Sequence, residues 1–266
     1  VPLSGWLASR FGTVRWLVLS LIGFGIFSFL CGTARSIELL ILFRILQGLS
    51  GGPLMPLTQT LLQRVFPPEK VPMALGLWAM TTIAAPIVGP ILGGTISDNW
   101  SWPWIFFINL PVVAGCAFVG SRLLPPFETV RRKVRIDTIG LVLLIIWIGA
   151  FQIMLDTGRE YDWFESQFIL ALAIIATIGF IIFVIWEWYE PEPIVNIRLL
   201  KDRTLAAATA AVSVGYGAFF GTVVLVPLWL QQVVGYTATE AGYVTSYQGM
   251  LAVMMAPVAP TGWPSE

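Results

Sequence analysis

Histidine is absent from the 266 residues, and cysteine occurs only twice, at Cys31 and Cys116. The first absence removes an imidazole proton relay and any histidine-containing metal site, and two separated cysteines cannot build a structural zinc centre. Both cysteines lie in apolar helical runs, where a thiol is a small buried hydrophobe rather than half of a disulfide. No cofactor or metal is expected. Charge is also scarce, at 11% of residues against about a quarter in an ordinary soluble domain. The 15 acids stand in connections or at the ends of apolar runs, with none central. A membrane-embedded lipid-modifying enzyme would need a nucleophile, a metal site or the paired acids that magnesium-diphosphate chemistry requires. None is seen, and no nucleic-acid partner is expected.

What is abundant is apolar side chain: 57% of residues, with a mean hydropathy of +0.82. The expected class is an all-α integral membrane protein, and runs of about twenty apolar residues are the unit to count. Eight full spans are predicted over 16–32, 39–65, 73–96, 104–124, 139–155, 168–188, 204–226 and 241–260. Val1 to Ala8 read as the tail of an earlier apolar segment, so a piece of a longer chain is expected. One set of alternate connections holds twelve Lys and Arg and the other only Arg35 and Arg159, which places the first set in the cytoplasm. Trp100, Trp102 and Trp104 mark an outer interface, and Trp186 and Trp188 an inner one.

Two cytoplasmic connections are longer than the rest. Pro125 to Asp137 is basic, which suits either contact with anionic headgroups or a solvated loop that fixes topology. Tyr189 to Arg203 reads as a short surface-lying segment or as a plain linker.

Three patterns carry candidate chemistry. Residues 85–94 read A-P-I-V-G-P-I-L-G-G inside a span. Ala85, Gly89 and Gly93 fall on one helical face, with Pro86, Pro90 and Gly94 beside them. Small residues admit a neighbouring backbone and prolines bend the rod, so the helix is either a kinked packing element or a moving part of a transporter. Arg44 is costly inside a span, at about +2.5 to +3.5 kcal/mol for mid-membrane placement. It either faces a watery cavity, with Gln47, Gly48, Gly51 and Met55 on its helical face, or snorkels to the outer boundary. No acid in the sequence offers itself as its counter-charge. The turn from Gly5 to Arg15, with Arg10 and Gly12, is a glycine-flanked basic connection able to cap a helix end or to bond neighbouring carbonyls or acids.

In this order, G-x-L-A-x-R-x-G, R-x-x-Q-G and A-P-x-x-G-P-x-x-G-G resemble the signatures of the major facilitator superfamily. W-P-W-I-F-F-I-N-L-P (102–111), I-D-T-I-G-L-V-L-L (136–144), M-L-D-T-G-R-E-Y-D-W-F (154–164) and L-Q-Q-V-V-G-Y-T-A-T-E-A-G (230–242) are similar to segments of its fourteen-span drug:proton antiporters. The resemblance implies a partial fold of that family in the inner (plasma) membrane. Its parts would be an incomplete N-terminal half over 1–124, a linker with two inserted helices over 125–188, and the start of the C-terminal half over 189–266. It implies export of drug-like amphipathic compounds against protons by alternating access. Arg44 and Gln47 would serve proton coupling, Ala85, Pro86, Gly89, Pro90, Gly93 and Gly94 the antiporter helix, and Gly5, Arg10 and Gly12 a cytoplasmic latch. Met55, Trp78, Met80 and Phe219 are cavity candidates on helical grounds alone. Some members of the family work with a periplasmic adaptor and an outer-membrane channel. Two departures stand out: Ser9 occupies the latch position often held by aspartate, and no first-span carboxylate is present. A facilitator or symporter of the same fold is the alternative, disfavoured by the glycine-proline helix.

Overall fold

The structure, a computed structural model, describes residues 3–131, 135–237 and 239–245. The side chains of Ile83, Pro86, Ile87, Pro90 and Ile91 lie outside that description. The secondary structure of the described residues is all helical, with connecting loops and no strand. The described residues divide into two compact units, one holding 3–131 with 214–237 and 239–245, the other 135–213.

In the first unit, α1 (Leu3–Phe11) leads through Gly12 into α2 (Thr13–Gly32). Ser36 then caps α3 (Ile37–Gly51), accepting from the Leu39 N–H at 3.3 Å, with Glu38 favourably placed in the first turn. The predicted span 39–65 is two helices. Pro53 and Pro56 cannot donate to carbonyls one turn back, and α3 gives way at Gly52-Pro53 to α4 (Leu54–Val65). The predicted span 104–124 divides for the same reason. A short α6 (Trp104–Phe107) precedes α7 (Asn109–Leu123), whose Pro111 leaves the Phe107 carbonyl without its helical donor. By contrast α5 (Val71–Asn99) stays helical through the whole glycine-proline segment.

α2 is the hub, packing against α1, α3, α4, α6 and α7. Val14 and Leu17 of α2 meet Leu57 and Leu61 of α4 in a buried cluster, bordered by Ala8, Trp16, Leu21, Leu54 and Leu124. Much apolar surface remains outward. Only 11% of the most apolar window of residues 37–65 is buried, which suits hydrocarbon as the solvent on the open faces.

The second unit is built on a hairpin. Asp137 caps α8 (Thr138–Thr157) by accepting from the Gly140 N–H at 2.8 Å, and α9 (Gln167–Tyr189) returns against it. Trp147 of α8 fills the seam, its ring 5.0 Å from Phe180 and 6.1 Å from Phe183, with its Cβ over Gly179. α10 (Arg203–Trp229) begins in this unit and continues into the first, to which the residues that follow belong: a π-helical turn, Leu230–Val234, that Gly235 ends at φ +82°. Next comes a capping box: Thr237 and Glu240 each accept from the other's backbone N–H, at 3.2 and 2.8 Å. The Thr239 hydroxyl reaches Asp98 at the end of α5, 2.7 Å away.

Six stretches among the described residues are long and apolar enough to cross a membrane: 13–33, 37–65, 104–123, 138–157, 167–189 and 203–234. They match six of the eight predicted spans. The predicted span 73–96 lies within the 29 residues of α5. Most of the last, 241–260, falls outside the described residues.

Candidate functional site

Arg44 sits two turns into α3, about 10 Å along the helix from Ile37 at 1.5 Å per residue. Its guanidinium lies over the Phe106 ring, 4.4 Å from the centroid. Nη1 also donates to Gln47 Oε1, one helical turn on, at 3.4 Å. Gln47 is buried, and its Nε2 donates to Ser28 Oγ on α2 at 2.5 Å. The Cys31 thiol points at the same Gln47 oxygen, 3.9 Å away. Ser28 and Cys31 are both fully buried. The arginine therefore heads a polar chain that crosses the α2–α3 seam, ending on a hydroxyl with no access to water. Among the described residues no carboxylate stands within ion-pair distance of it; its partners are a π face and an amide oxygen. The i, i+3 pairing of Arg44 and Gln47 follows from helical spacing. Ser28 was missed, because a serine in an apolar helix gives no signal of what it faces.

At the turn from Gly5 to Arg15 the contact is a helix cap. Gly12 has φ +99°, a backbone that glycine adopts without strain, and it turns α1 into α2. Three amide donors at the start of α2 need partners. Glu128 Oε1 accepts from Val14 N at 3.0 Å and Oε2 from Arg15 N at 3.1 Å, while Thr129 Oγ1 accepts from Thr13 N at 3.0 Å. A Cβ on Gly12 would lie 2.6 Å from Glu128 Oε1, so a side chain there would push the capping carboxylate aside. Arg10 makes no part of this contact; its guanidinium stacks on Trp6 at 5.2 Å. Ser9 closes on its own helix, donating to the Gly5 carbonyl at 2.9 Å, and Gly5 has open space where a side chain would be. The carboxylate thus comes from Glu128, in a loop whose basic character drew attention to headgroups instead. A cavity of about 540 Å3 adjoins this junction, lined by Ser4, Gly5, Ser9, Thr13, Thr60 and Arg64 among others.

On α5, Ala85 is exposed, and among the described residues nothing lies within 4 Å of a Cβ built on Gly89 or Gly93. Gly94 is buried. The side chains of Pro86 and Pro90 are outside the described residues. Met55 is 56% exposed on α4. Trp78 and Met80 are half-buried on α5, and Phe219 on α10 stacks edge-on with Phe220 at 5.5 Å.

Helices long and apolar enough to span a membrane, with a buried polar seam under an arginine between two of them, describe a polytopic membrane protein. The chain belongs to the Major Facilitator Superfamily, whose family profile matches residues 1–263. That family is one of membrane transporters rather than of enzymes. It is 46% identical over 258 residues to the multidrug export protein EmrB of Escherichia coli (strain K12), covering 97% of this chain and 50% of that protein. The fatty acid resistance protein FarB of Neisseria gonorrhoeae is 45% identical over 97% of this chain and 51% of its own length. The probable multidrug resistance protein EmrY of E. coli is 42% identical over 97% of this chain and 50% of its own length. The chain therefore spans about half the length of the curated relatives it matches.

Proposed function

We propose that the transporter containing this chain exports amphipathic organic compounds from the cell across the inner membrane in exchange for protons, by alternating access. The main support is 46% identity, sustained over 97% of the chain, to a protein named for multidrug export. FarB, named for fatty acid resistance, extends the same chemistry to an apolar body with a charged end. The Gly89–Gly93 face of α5 gives a second helix a close seat, as an alternating mechanism requires of its interfaces. Arg44 supplies a fixed positive charge that favours the ionised form of a nearby carboxylate, so the proton-carrying group releases its proton on the side where the arginine faces it. The turn at Gly5, Arg10 and Gly12 acts as the latch, with Glu128 as its acid. Residues 1–124 belong to the N-terminal half, 125–188 to the inserted pair with its linker, and 189–266 to the beginning of the C-terminal half. A periplasmic adaptor and an outer-membrane channel complete the export path.

The test is drug flux by the full transporter in proteoliposomes under an imposed pH gradient. Flux should fall to the passive level when an ionophore collapses the gradient; equal flux with and without the gradient rejects proton coupling. Arg44→Ala should abolish coupled export while the protein still inserts into the membrane. Wild-type export by that variant removes Arg44 from the mechanism.

A further inference from the structure

The hairpin of α8 and α9 carries a pair of acids that the export reading does not use. Asp137, before α8, and Glu187, in the last turn of α9, are both buried, Glu187 completely. Their surroundings are unequal. Asp137 Oδ1 accepts from Gly140 N at 2.8 Å, and Trp186 Nε1 donates to Oδ1 and Oδ2, each at 3.0 Å. Donors therefore reach both oxygens of Asp137. Glu187 Oε2 accepts from Val195 N at 3.0 Å, but its Oε1 is buried without any partner.

That bare oxygen has a definite neighbour. A Cβ built on Gly140 would lie 2.2 Å from Asp137 Oδ2 and 2.5 Å from Glu187 Oε1, so the two oxygens flank one small space. Glycine at 140 keeps the space open. Two buried anions facing each other there would be unfavourable on both counts, desolvation and like charge. The surrounding charges do not neutralise them. Arg198 donates through Nη2 to the Glu190 carbonyl and leaves Nε without a partner. Lys201 sits 4.7 Å over the Trp188 ring. Glu190 adds a further carboxylate at the end of the same helix, and Arg135 and Glu192 line a cavity of about 310 Å3 that Asp137 also lines. Among the described residues no cation reaches ion-pair distance of either acid.

We propose that Asp137 and Glu187 form a proton-binding site, in which Glu187 Oε1 carries one proton and donates it to Asp137 Oδ2. The pair then bears a single negative charge, held by Trp186 and the Gly140 amide, and the polar cavity beside Asp137 is the route to water. The same neutral carboxyl group anchors the segment after α9 through the Val195 amide. The site lies wholly within the α8–α9 hairpin and its flanking connections, and it stands whether or not the transporter exchanges drugs for protons.

The test is infrared spectroscopy of the full transporter in lipid at neutral pH, comparing wild type, Glu187→Gln and Asp137→Asn. The wild type should show a protonated carboxyl C=O band that shifts in heavy water and is lost in Glu187→Gln. In Asp137→Asn, which removes the charged acceptor, that band should move. Identical carboxyl bands in wild type and Glu187→Gln would overturn the proposal. So would a sodium- or calcium-dependent carboxylate shift seen in wild type and absent in Glu187→Gln, since a metal cation would then hold the pair. Where Glu187→Gln is not recovered, an unmoved band in Asp137→Asn overturns it independently.

Discussion

Glu128→Ala should loosen the junction between α1 and α2 far more than loss of a half-buried loop carboxylate would ordinarily do. The side chain accepts from Val14 N and Arg15 N, at 3.0 and 3.1 Å, and Val14 is only 3% exposed, so water cannot readily replace it there. A helix N-cap is worth about 1 kcal/mol. A negative charge against the positive end of the helix adds roughly 0.3–1 kcal/mol. Together they give a loss of about 2 kcal/mol for alanine, and about 1 kcal/mol for Glu128→Gln, which keeps one acceptor oxygen without the charge. The assay is hydrogen exchange of the Val14 and Arg15 amides, read beside the unfolding midpoint of the detergent-solubilised transporter. Exchange at both amides should quicken by about thirtyfold in Glu128→Ala, the factor that 2 kcal/mol commands. Thr129→Ala should expose the Thr13 amide selectively and combine non-additively with Glu128→Ala, because the two side chains cap one helix end. Unchanged exchange at Val14 and Arg15 in the alanine variant would refute the capping role.

Three other outcomes follow from the same structure. Gln47→Leu strands the buried Ser28 hydroxyl and removes the Arg44 acceptor, for an expected loss of about 1–3 kcal/mol in unfolding free energy, whereas Gln47→Asn recovers little because its shorter amide stops short of α2. Gly140→Ala forces a Cβ to 2.2 Å from Asp137 Oδ2 and should cost about 1–3 kcal/mol, seen as a lower unfolding midpoint. Hydrogen bonds from the Thr237 amide and hydroxyl hold the exposed Glu240 carboxyl below the usual carboxylate range. A value lowered in the folded state means the clasp contributes at neutral pH and fades as acid carries the group through that lowered value. Carboxyl NMR titration should show Glu240 moving back up in Thr237→Ala; no movement would deny the hydroxyl its part.

Hydropathy made the helices legible because lipid demands long apolar runs, and 138–157 and 167–189 were readable almost to the residue. It could not see the breaks at Gly52-Pro53 and before Asn109, since a divided helix and a continuous one have the same average hydropathy. Arg44 and Gln47 were visible as a pair because helical spacing is a local rule. Their buried terminus at Ser28 and the Glu128 cap on α2 were not, because each depends on residues from distant stretches meeting. Glu187 was hidden for a different reason. Standing between Trp186 and Trp188 at a span end, it read as one more interfacial residue, and only its zero exposure shows that the helix turns it inward. The Asp137 cap was legible in principle, as an aspartate just ahead of an apolar helix.

The hairpin of α8 and α9 packs its own seam through Trp147, Gly179 and Phe183 and supplies two helices long and apolar enough to cross a membrane. An even number of crossings returns the chain to the side it left. Such a module can be gained or shed by a gene without inverting anything encoded downstream, so the sidedness of the remaining helices is indifferent to its presence.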